Sequence, residues 1–395
     1  MPIQRRQFKP VRKARGLSLI ELMVALALGL LVIAAMIQLF AGNRATFSAN
    51  EALARVQENG RFGLETLRRE VRAVNFYGTC AAQIPIRNHL RTDCGSDITT
   101  IFDDDRAIVG WEFLGTGLGE TYDALAEESD LEPSAGGLNR WRSRAGAVNL
   151  DLPDFLNNRV VPGSDVLLIR TPEVVAGVTA DGNTPANANS INLNTNHGLE
   201  KDEIVLITNC ATGADLFQNQ SNSNADSLSA GSGSCSNPGP GNINNLNWST
   251  AYDDTMQIFR IRIQAFYIGY NATTNEPGLY RANLGLGTVS SNVVHEELVG
   301  GIESMQVLYG YSLPADQGGN GQTVDFWITA DQVPDWDFVI GARIALLVRS
   351  SENMGAGALR RTFDLAGTAF THPEDGRLRQ PFFSSISLRN QQLVL

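Results

Sequence analysis

An apolar run near the N-terminus constrains this chain more than any other feature. It spans Leu17–Phe40 and contains only three clearly polar residues, Ser18, Glu21 and Gln38. A helix of this length reaches about 36 Å, whereas the hydrocarbon core of a bilayer is about 30 Å thick. Six basic residues and no acidic one precede the run, so the positive-inside rule places the N-terminus in the cytoplasm. The run is therefore predicted to anchor the chain in a membrane.

Common N-terminal segments explain this run incompletely. A cleavable secretory signal has a shorter apolar core followed by a site of small residues, and the nearest candidate site here begins with the bulky Leu39. A plain signal anchor fits the length. It does not explain why a carboxylate, Glu21, lies near the start of the run, where a charge inside a bilayer costs on the order of 3 kcal/mol.

The segment "RGLSLIELMVALAL", residues 15–28, resembles the leader junction of type IV pilins and type II secretion pseudopilins. The resemblance implies that a prepilin peptidase cuts between Gly16 and Leu17 and that the new amine of Leu17 is methylated. It also implies an assembly role for Glu21, which would neutralise the terminal amine of a neighbouring subunit inside an apolar filament core. The leader of residues 1–16 is longer than those of many type IVa pilins.

The helix is expected to continue well beyond the apolar run, because no proline occurs between Pro10 and Pro85. After Gln38 apolar residues recur at steps of three and four, which is typical of an amphipathic helix. They are Leu53, Val56, Gly60, Leu64, Leu67, Val71 and Val74. We predict one helix that ends near Gly78, with its amphipathic second half lying on a soluble head.

The remainder of the chain is predicted to be rich in β-strands. Runs of strand length with β-branched or aromatic content occur at residues 165–170, 202–210, 257–270, 301–313 and 341–350. The alternation in "IFRIRIQAFYI", residues 258–268, predicts an antiparallel sheet with one solvated face. Stretches rich in Asn, Ser and Gly, residues 179–197 and 211–250, are interpreted as surface loops because such composition does not bury a core.

The four cysteines are predicted to form two local disulfides, Cys80–Cys94 and Cys210–Cys235. Each bridge would contribute on the order of 3 kcal/mol by closing a loop, and disulfides persist outside the cytosol. No CxxC motif or zinc-type spacing is present. Four buried free thiols remain the alternative for a cytosolic protein, and the true pairing is left open.

Several blocks beyond the leader resemble PilW-type minor pilins. They are "ALARVQENGRFGLETLRREVRAVNFYGTC" (52–80), "LVGGIESMQVLYGYSL" (298–313), "VDFWITADQVPDWDFVIGARIALLVRSSEN" (324–353) and "RLRQPFFSSISLRN" (377–390). The resemblance implies a pilin-like α+β fold in which a long N-terminal helix packs on an antiparallel β-sheet head. The expected organisation is a leader (1–16), a membrane or filament-core helix (17–40), its amphipathic continuation (41–78) and a β-rich head (79–395).

The sequence offers no positive indication of catalysis. Its four histidines form no HExxH motif, and neither a GxSxG nucleophile elbow nor a phosphate-binding loop occurs. The glycine-rich "GTGLGE", residues 115–120, is interpreted as a turn. Acidic clusters at 103–105 and 181–183 lack the full calcium-loop pattern. We therefore predict no enzyme activity, no metal and no cofactor.

The charge distribution excludes general nucleic-acid binding. The formal net charge is −11 and becomes −17 once the basic leader is removed, whereas nucleic-acid binding relies on neutralising phosphates with basic residues.

The resemblance implies a minor pilin of a Gram-negative bacterium. The chain is expected to be held in the inner membrane by a single pass with a periplasmic head, and later to join an extracellular pilus. Its expected partners are the prepilin peptidase, the major pilin, other minor pilins and a tip adhesin. The expected role is pilus initiation in a tip complex that supports twitching motility and adhesion. Two alternatives are a J-like pseudopilin of type II secretion and a membrane-anchored surface-binding protein unrelated to filaments.

Overall fold

The protein is represented by a computed structural model. It describes residues 16, 18–74, 85–91, 107–124, 140–145, 148–231, 240–243, 247–271, 273–274, 276–284, 293–354 and 361–388. The chain divides into two compact units, Met1–Glu51 and Ala52–Leu395.

Helix α1 spans Leu19–Arg72. Its last turn tightens, because the N–H of Ala73 bonds to the carbonyl of Glu70 and that of Val74 to the carbonyl of Val71, both three residues back. Such tighter bonds are common where a helix runs out of partners four residues away. The helix thus ends before the predicted end near Gly78. Residues 75–84 lie outside the described part.

The part of α1 in the first unit exposes its apolar side chains. An 18-residue window within α1 has a mean hydropathy of 2.7 and no buried residue, so the helix is long and apolar enough to cross a membrane. The large exposed side chains of this part are Leu19, Ile20, Leu22, Met23, Val24, Leu26, Leu28, Leu30, Leu31, Val32, Ile33, Met36, Ile37, Leu39, Phe40 and Phe47.

The part of α1 in the second unit packs one face on the head. Of the predicted stripe, Leu53 stays exposed and Leu64 is half-buried, while the other five members are buried. Glycine permits a close approach at Gly60, where an added Cβ would overlap the ring of Phe382. Asn59 fixes the helix further by donating its Nδ2 to the carbonyl oxygen of Gly300 at 3.0 Å.

The described residues of the head contain nineteen strands. They are β1 Ile86–Asn88, β2 Ile108–Phe113, β3 Thr121–Asp123, β4 Trp141–Ala145, β5 Val148–Leu150, β6 Val166–Val174, β7 Ser190–Asn192, β8 Ile204–Thr208, β9 Ala214–Gln218, β10 Ser227–Ser229, β11 Gln257–Asn271, β12 Glu276–Leu284, β13 Val293–Gly300, β14 Ile302–Tyr311, β15 Phe326–Ile328, β16 Val339–Asn353, β17 Thr362–Leu365, β18 Thr368–Thr371 and β19 Arg377–Ser387.

Two larger sheets form the head within the described residues. The first has the order β1-β9-β8-β11-β6-β2-β4-β5, and β12 and β13 extend it from β11. The second has the order β15-β14-β16-β19. Two small sheets, β10-β7 and β17-β18-β3, accompany them, and among the described strands only the β1–β9 and β18–β3 pairs are parallel. The predicted α+β class is confirmed: one long N-terminal helix accompanies a largely antiparallel head.

Strand β11 departs from the prediction of one solvated face. Its residues 263–269 are all buried, although the first half of the strand retains partly exposed positions. Phe266 joins the main core on one face. On the other face the ring of Tyr267 stacks on Tyr280, with centroids 5.6 Å apart, and its hydroxyl lies 2.8 Å from Nδ1 of His295. Neighbouring strands therefore supply a cover that the alternation within β11 does not reveal.

The Asn-, Ser- and Gly-rich region is not merely surface loop, and that interpretation is wrong. A separate core lies there, built from Val178, Ala180, Ile191, Leu193, Leu199, Val205, Ile207, Phe217, Leu228, Ala230, Trp248, Tyr252, Met256 and Ile258. Polar side chains replace sheet hydrogen bonds between its short segments. Buried Asn242, for example, accepts from the N–H of Gln218 at 2.8 Å and donates to the carbonyl oxygens of Gln218 and Gly231.

Candidate functional site

The start of α1 contains the carboxylate singled out by its place in an apolar run. Glu21 Oε2 accepts a hydrogen bond from the N–H of Ser18 at 2.9 Å, and Ser18 Oγ accepts one from the N–H of Glu21 at 3.2 Å. This reciprocal pair is a capping box, which satisfies two backbone donors at the helix start. The helix dipole also favours a negative charge in this first turn.

The capping box gives Glu21 a local role that the charge argument missed. The signal for it is present in the sequence, because Ser-x-x-Glu before an apolar run is the usual mark of a helix N-terminus. Both side chains are exposed. The carboxylate is therefore positioned by its own helix while it remains accessible to another molecule.

The predicted processing site directly precedes this cap. Gly16 is exposed, and no atom lies within 4 Å of the position that a Cβ would occupy there. Leu17 lies outside the described residues, so cleavage and methylation at Gly16 and Leu17 remain predictions. An open backbone before a capped helix is compatible with access by a peptidase.

The predicted disulfides fall largely outside the described residues. Cys210 takes part in a disulfide and has a positive φ of 59°. Its N–H donates to Thr208 Oγ1 at 2.9 Å. Cys80, Cys94 and Cys235 lie outside the described residues, so the pairing remains a prediction. Non-reducing peptide mapping would test it.

One histidine lies beside an aspartate and a serine, the residue types of a nucleophilic triad. His89 Nε2 lies 2.6 Å from Asp215 Oδ1. Ser249, however, donates its Oγ to Asp215 Oδ2 at 2.7 Å rather than to His89. A serine nucleophile needs the base at its own hydroxyl. His89 and Asp215 are also fully buried, so this constellation serves structure rather than catalysis.

The described residues also contain no group of three or more His, Cys, Asp or Glu side chains able to hold a metal ion. The acidic stretch 103–105 lies outside them. In the stretch 181–183, the N–H of Asp181 donates to the carbonyl of Asn192, a backbone bond that flanks the antiparallel bridge between Ala180 and Leu193. The geometry supplies a capped, exposed apolar helix with one accessible carboxylate, and such a surface is suited to association with other helices or lipid.

Comparison with known protein families gives two matches. Residues 265–390 match the family described as type IV pilus-assembly protein W, and residues 11–37 match the prokaryotic N-terminal methylation motif. The second match covers Gly16, Leu17 and Glu21. No curated protein and no solved structure matches the chain significantly.

Proposed function

We propose that this chain, which its two family matches support as a PilW-type minor pilin, is a non-enzymatic subunit that initiates pilus assembly. The observation that carries the proposal is the capped N-terminus of α1, where a single accessible carboxylate precedes an exposed apolar surface. The subunit acts in a tip complex with other minor pilins and supports twitching motility and adhesion.

The apolar half of α1 has two successive environments in this proposal. The inner membrane stores it first, because its length and hydropathy suit a single span. The basic leader keeps the N-terminus cytoplasmic and the head periplasmic. During assembly the helix leaves the lipid and packs against equivalent helices of neighbouring subunits, which bury the same side chains.

The cleavage site and the assembly contact lie next to each other at the start of the helix. The prepilin peptidase cuts after Gly16 and leaves a methylated amine on Leu17. In the filament, Glu21 binds the terminal amine of a neighbouring subunit. A carboxylate enclosed by apolar helices is costly unless a cation pairs with it. This contact therefore sets the register between subunits.

Two variants separate the charge of Glu21 from its capping role. Glu21→Gln removes the charge and keeps an acceptor for the N–H of Ser18, as capping boxes with glutamine do. Ser18→Ala removes one capping acceptor and keeps the charge. We expect Glu21→Gln to lower incorporation into surface pili by about tenfold or more, because about 1.4 kcal/mol of lost pairing gives that factor. Ser18→Ala should retain most incorporation.

Incorporation is measured by immunoblotting sheared pili, with the membrane-bound protein as the reference. Gly16→Ala should leave a precursor that retains residues 1–16, detected by mass spectrometry of the N-terminus. Wild-type levels of Glu21→Gln in pili would contradict the amine contact. An intact leader on the wild-type protein would contradict the pilin assignment altogether.

The match of residues 265–390 favours a pilus over a type II secretion pseudopilus, because the matched family is one of pilus assembly. Deleting the gene should therefore abolish or reduce piliation and leave type II secretion unchanged. Loss of secretion with normal pili would support the J-like pseudopilin instead.

A further inference from the structure

A pocket of about 270 Å³ opens on the head, far along the chain from the helix start. One wall is the glycine-rich loop that follows β2. The opposite wall is the short turn after β15. The lining residues are Glu112, Phe113, Leu114, Gly115, Gly117, Leu118, Glu120, Arg142, Ile328, Thr329, Asp331 and Gln332.

The buried Glu112 lines this pocket and forms a carboxyl pair with Asp165 behind it. Glu112 accepts a hydrogen bond from Thr116 Oγ1 at 3.0 Å and shares a side-chain hydrogen bond with Asp165. Asp165 in turn accepts from the N–H groups of Phe113 at 3.1 Å and Val307 at 2.8 Å. The pair therefore connects β2, the start of β6 and β14, and Glu112 presents one side of the pair to the pocket.

Among the described residues, the acidic side chains that line the pocket form no salt bridge with a basic side chain. Asp331 lies on the wall and accepts hydrogen bonds from neutral groups only, Thr329 Oγ1 at 2.6 Å and Gln332 Nε2 at 3.0 Å. Arg142 also lines the pocket. Yet within the described residues no basic side chain lies in salt-bridge range of Glu112, Asp165 or Asp331.

Behind the carboxyl pair lies an unsatisfied hydroxyl. Tyr309 is 1 % exposed, and its Oη has no hydrogen-bond partner among the described residues. The hydroxyl lies over Gly110, which shares a face of β2 with Glu112. Tyr309 also interacts electrostatically with Asp165 and Glu112. A buried polar group without a partner is costly, so the site has hydrogen-bonding capacity that the protein itself does not use.

Because no cation in the described part of the chain neutralises the carboxyl pair, the pair retains one proton. Burial raises the pKa of Glu112 far above its ordinary range, and the charges of Asp165 and Asp331 raise it further. Burial also raises the pKa of Asp165, against the hydrogen bonds from Val307 and Phe113. Glu112 is therefore the protonated member and donates to Asp165. An incoming cation would stabilise the ionised pair and displace this proton.

The rim of the pocket is apolar. Leu114 and Leu118 are 52 % and 49 % exposed, respectively. A ligand that fits both parts carries a positive charge at the end of an apolar stem, as the side chains of lysine and arginine do. A bare metal ion fits less well, because the described residues hold no cluster with metal-ligand geometry.

We propose that this pocket receives a basic side chain, lysine or arginine, from a neighbouring pilus subunit. The proposal rests on the proposed function for the identity of the partner. The apolar stem covers Leu114 and Leu118, and the cationic end lies between Glu112 and Asp331. The charged groups that line the pocket are Glu112 from β2, Glu120 from the loop, Asp331 from the turn and Arg142 from β4. Asp165 before β6 and Tyr309 from β14 do not line it and act on the cation through Glu112.

The test is calorimetric titration of the full-length processed protein in detergent with Nα-acetylarginine amide. Nα-acetylcitrulline amide is the neutral control of the same shape. We expect the arginine compound to bind in the millimolar range and the citrulline compound to bind about tenfold more weakly or not at all. Two buffers of different ionisation enthalpy should reveal proton release, and affinity should rise between pH 6 and pH 8 because Glu112 must ionise.

Two variants locate the binding. Glu112→Gln should lower the affinity about tenfold and abolish proton release, since glutamine copies the protonated carboxyl without its charge. Asp331→Asn should lower the affinity and keep proton release. Asp316→Asn is the matched control, because Asp316 is an exposed carboxylate outside the pocket, and it should bind as the wild type does. If Glu112→Gln fails to fold, the Asp331→Asn and Asp316→Asn pair still decides the question.

Equal binding of the arginine and citrulline compounds would overturn the proposal. So would unchanged binding by both Glu112→Gln and Asp331→Asn, or no binding at any pH. These results are separate from the pilus assays. If Glu21→Gln abolishes incorporation into pili while the arginine compound does not bind, the proposed function is supported and the proposal of a pocket for a basic side chain is wrong.

Discussion

Two of the buried carboxyl sites in the described part of the head carry their charge in opposite ways. Asp215 lies in the smaller core of the Asn-rich region, whereas Glu112 and Asp165 lie beside the main core. Burial raises the pKa of the carboxyls at both sites. At Asp215, hydrogen bonds outweigh that effect, and its pKa lies below the ordinary range.

The number of donors explains the difference. Asp215 accepts hydrogen bonds from His89 Nε2 at 2.6 Å, Tyr252 Oη at 2.5 Å, and both Oγ and N–H of Ser249. Glu112 faces a second carboxyl and receives only the hydroxyl of Thr116. Burial alone thus does not decide whether a carboxyl is charged, because the supply of donors does. Asp215 is ionised and stabilises the fold through its charge, whereas Glu112 stays protonated and can ionise when a cation binds.

The largest expected effect comes from Asp215→Asn. Asparagine replaces one acceptor oxygen by an amide NH2, which is a donor and faces other donors. The hydroxyl of Tyr252 and Nε2 of His89 lose their anionic partner. Breaking such a buried network costs about 3–5 kcal/mol. Chemical denaturation at pH 7 should show this loss in the free energy of unfolding. Asp316→Asn, an exposed control, should change it by less than about 0.5 kcal/mol.

Glu112→Gln is expected to have an intermediate effect of opposite sign, because it should raise the free energy of unfolding. The raised pKa of Glu112 means that the folded chain holds a proton which the unfolded chain releases above an ordinary pKa of about 4.5. Stability from this group is therefore complete below that pH and declines as pH rises. Glutamine removes the decline, so the variant should be more stable by on the order of 2 kcal/mol at pH 8.

The advantage of Glu112→Gln should shrink as the pH falls and vanish below about pH 4.5, where wild-type Glu112 is protonated in both the folded and the unfolded state. Denaturation curves at pH 5, 6.5 and 8 measure this trend. A variant less stable than the wild type at pH 8 would show that Glu112 is ionised in the folded protein. The contrast between the two sites would then be lost.

The smallest effect is expected from Tyr252→Phe, which removes one of the donors to Asp215. A hydrogen bond to a charged group contributes about 1.5 kcal/mol, and the remaining donors still hold the anion. The loss in the free energy of unfolding should change little with pH above pH 5, because Asp215 is ionised there in both folded and unfolded chains. A loss as large as that of Asp215→Asn would show that the hydroxyl, rather than the shared set of donors, dominates the site.

Sequence patterns predicted the elements with the strongest periodicity. The helix follows from its unbroken apolar run and the spacing of Val56, Leu67 and Val71, and its stripe indeed packs on the head. The long strands β11, β14 and β16 lie where the apolar runs predicted them. Composition misled in the Asn-rich region, because single apolar residues far apart in sequence, such as Ile191 and Trp248, meet in one core.

The sequence by itself determined the apolar helix, the carboxylate at its start and the alternation of long strands, because these depend on residues close together in the chain. Only the tertiary structure decided which carboxyls are charged. Glu112 and Asp165 are 53 positions apart, and His89 and Asp215 are 126 apart. The desolvation and the donors that set their pKa values come from strands that meet only when the sheets assemble.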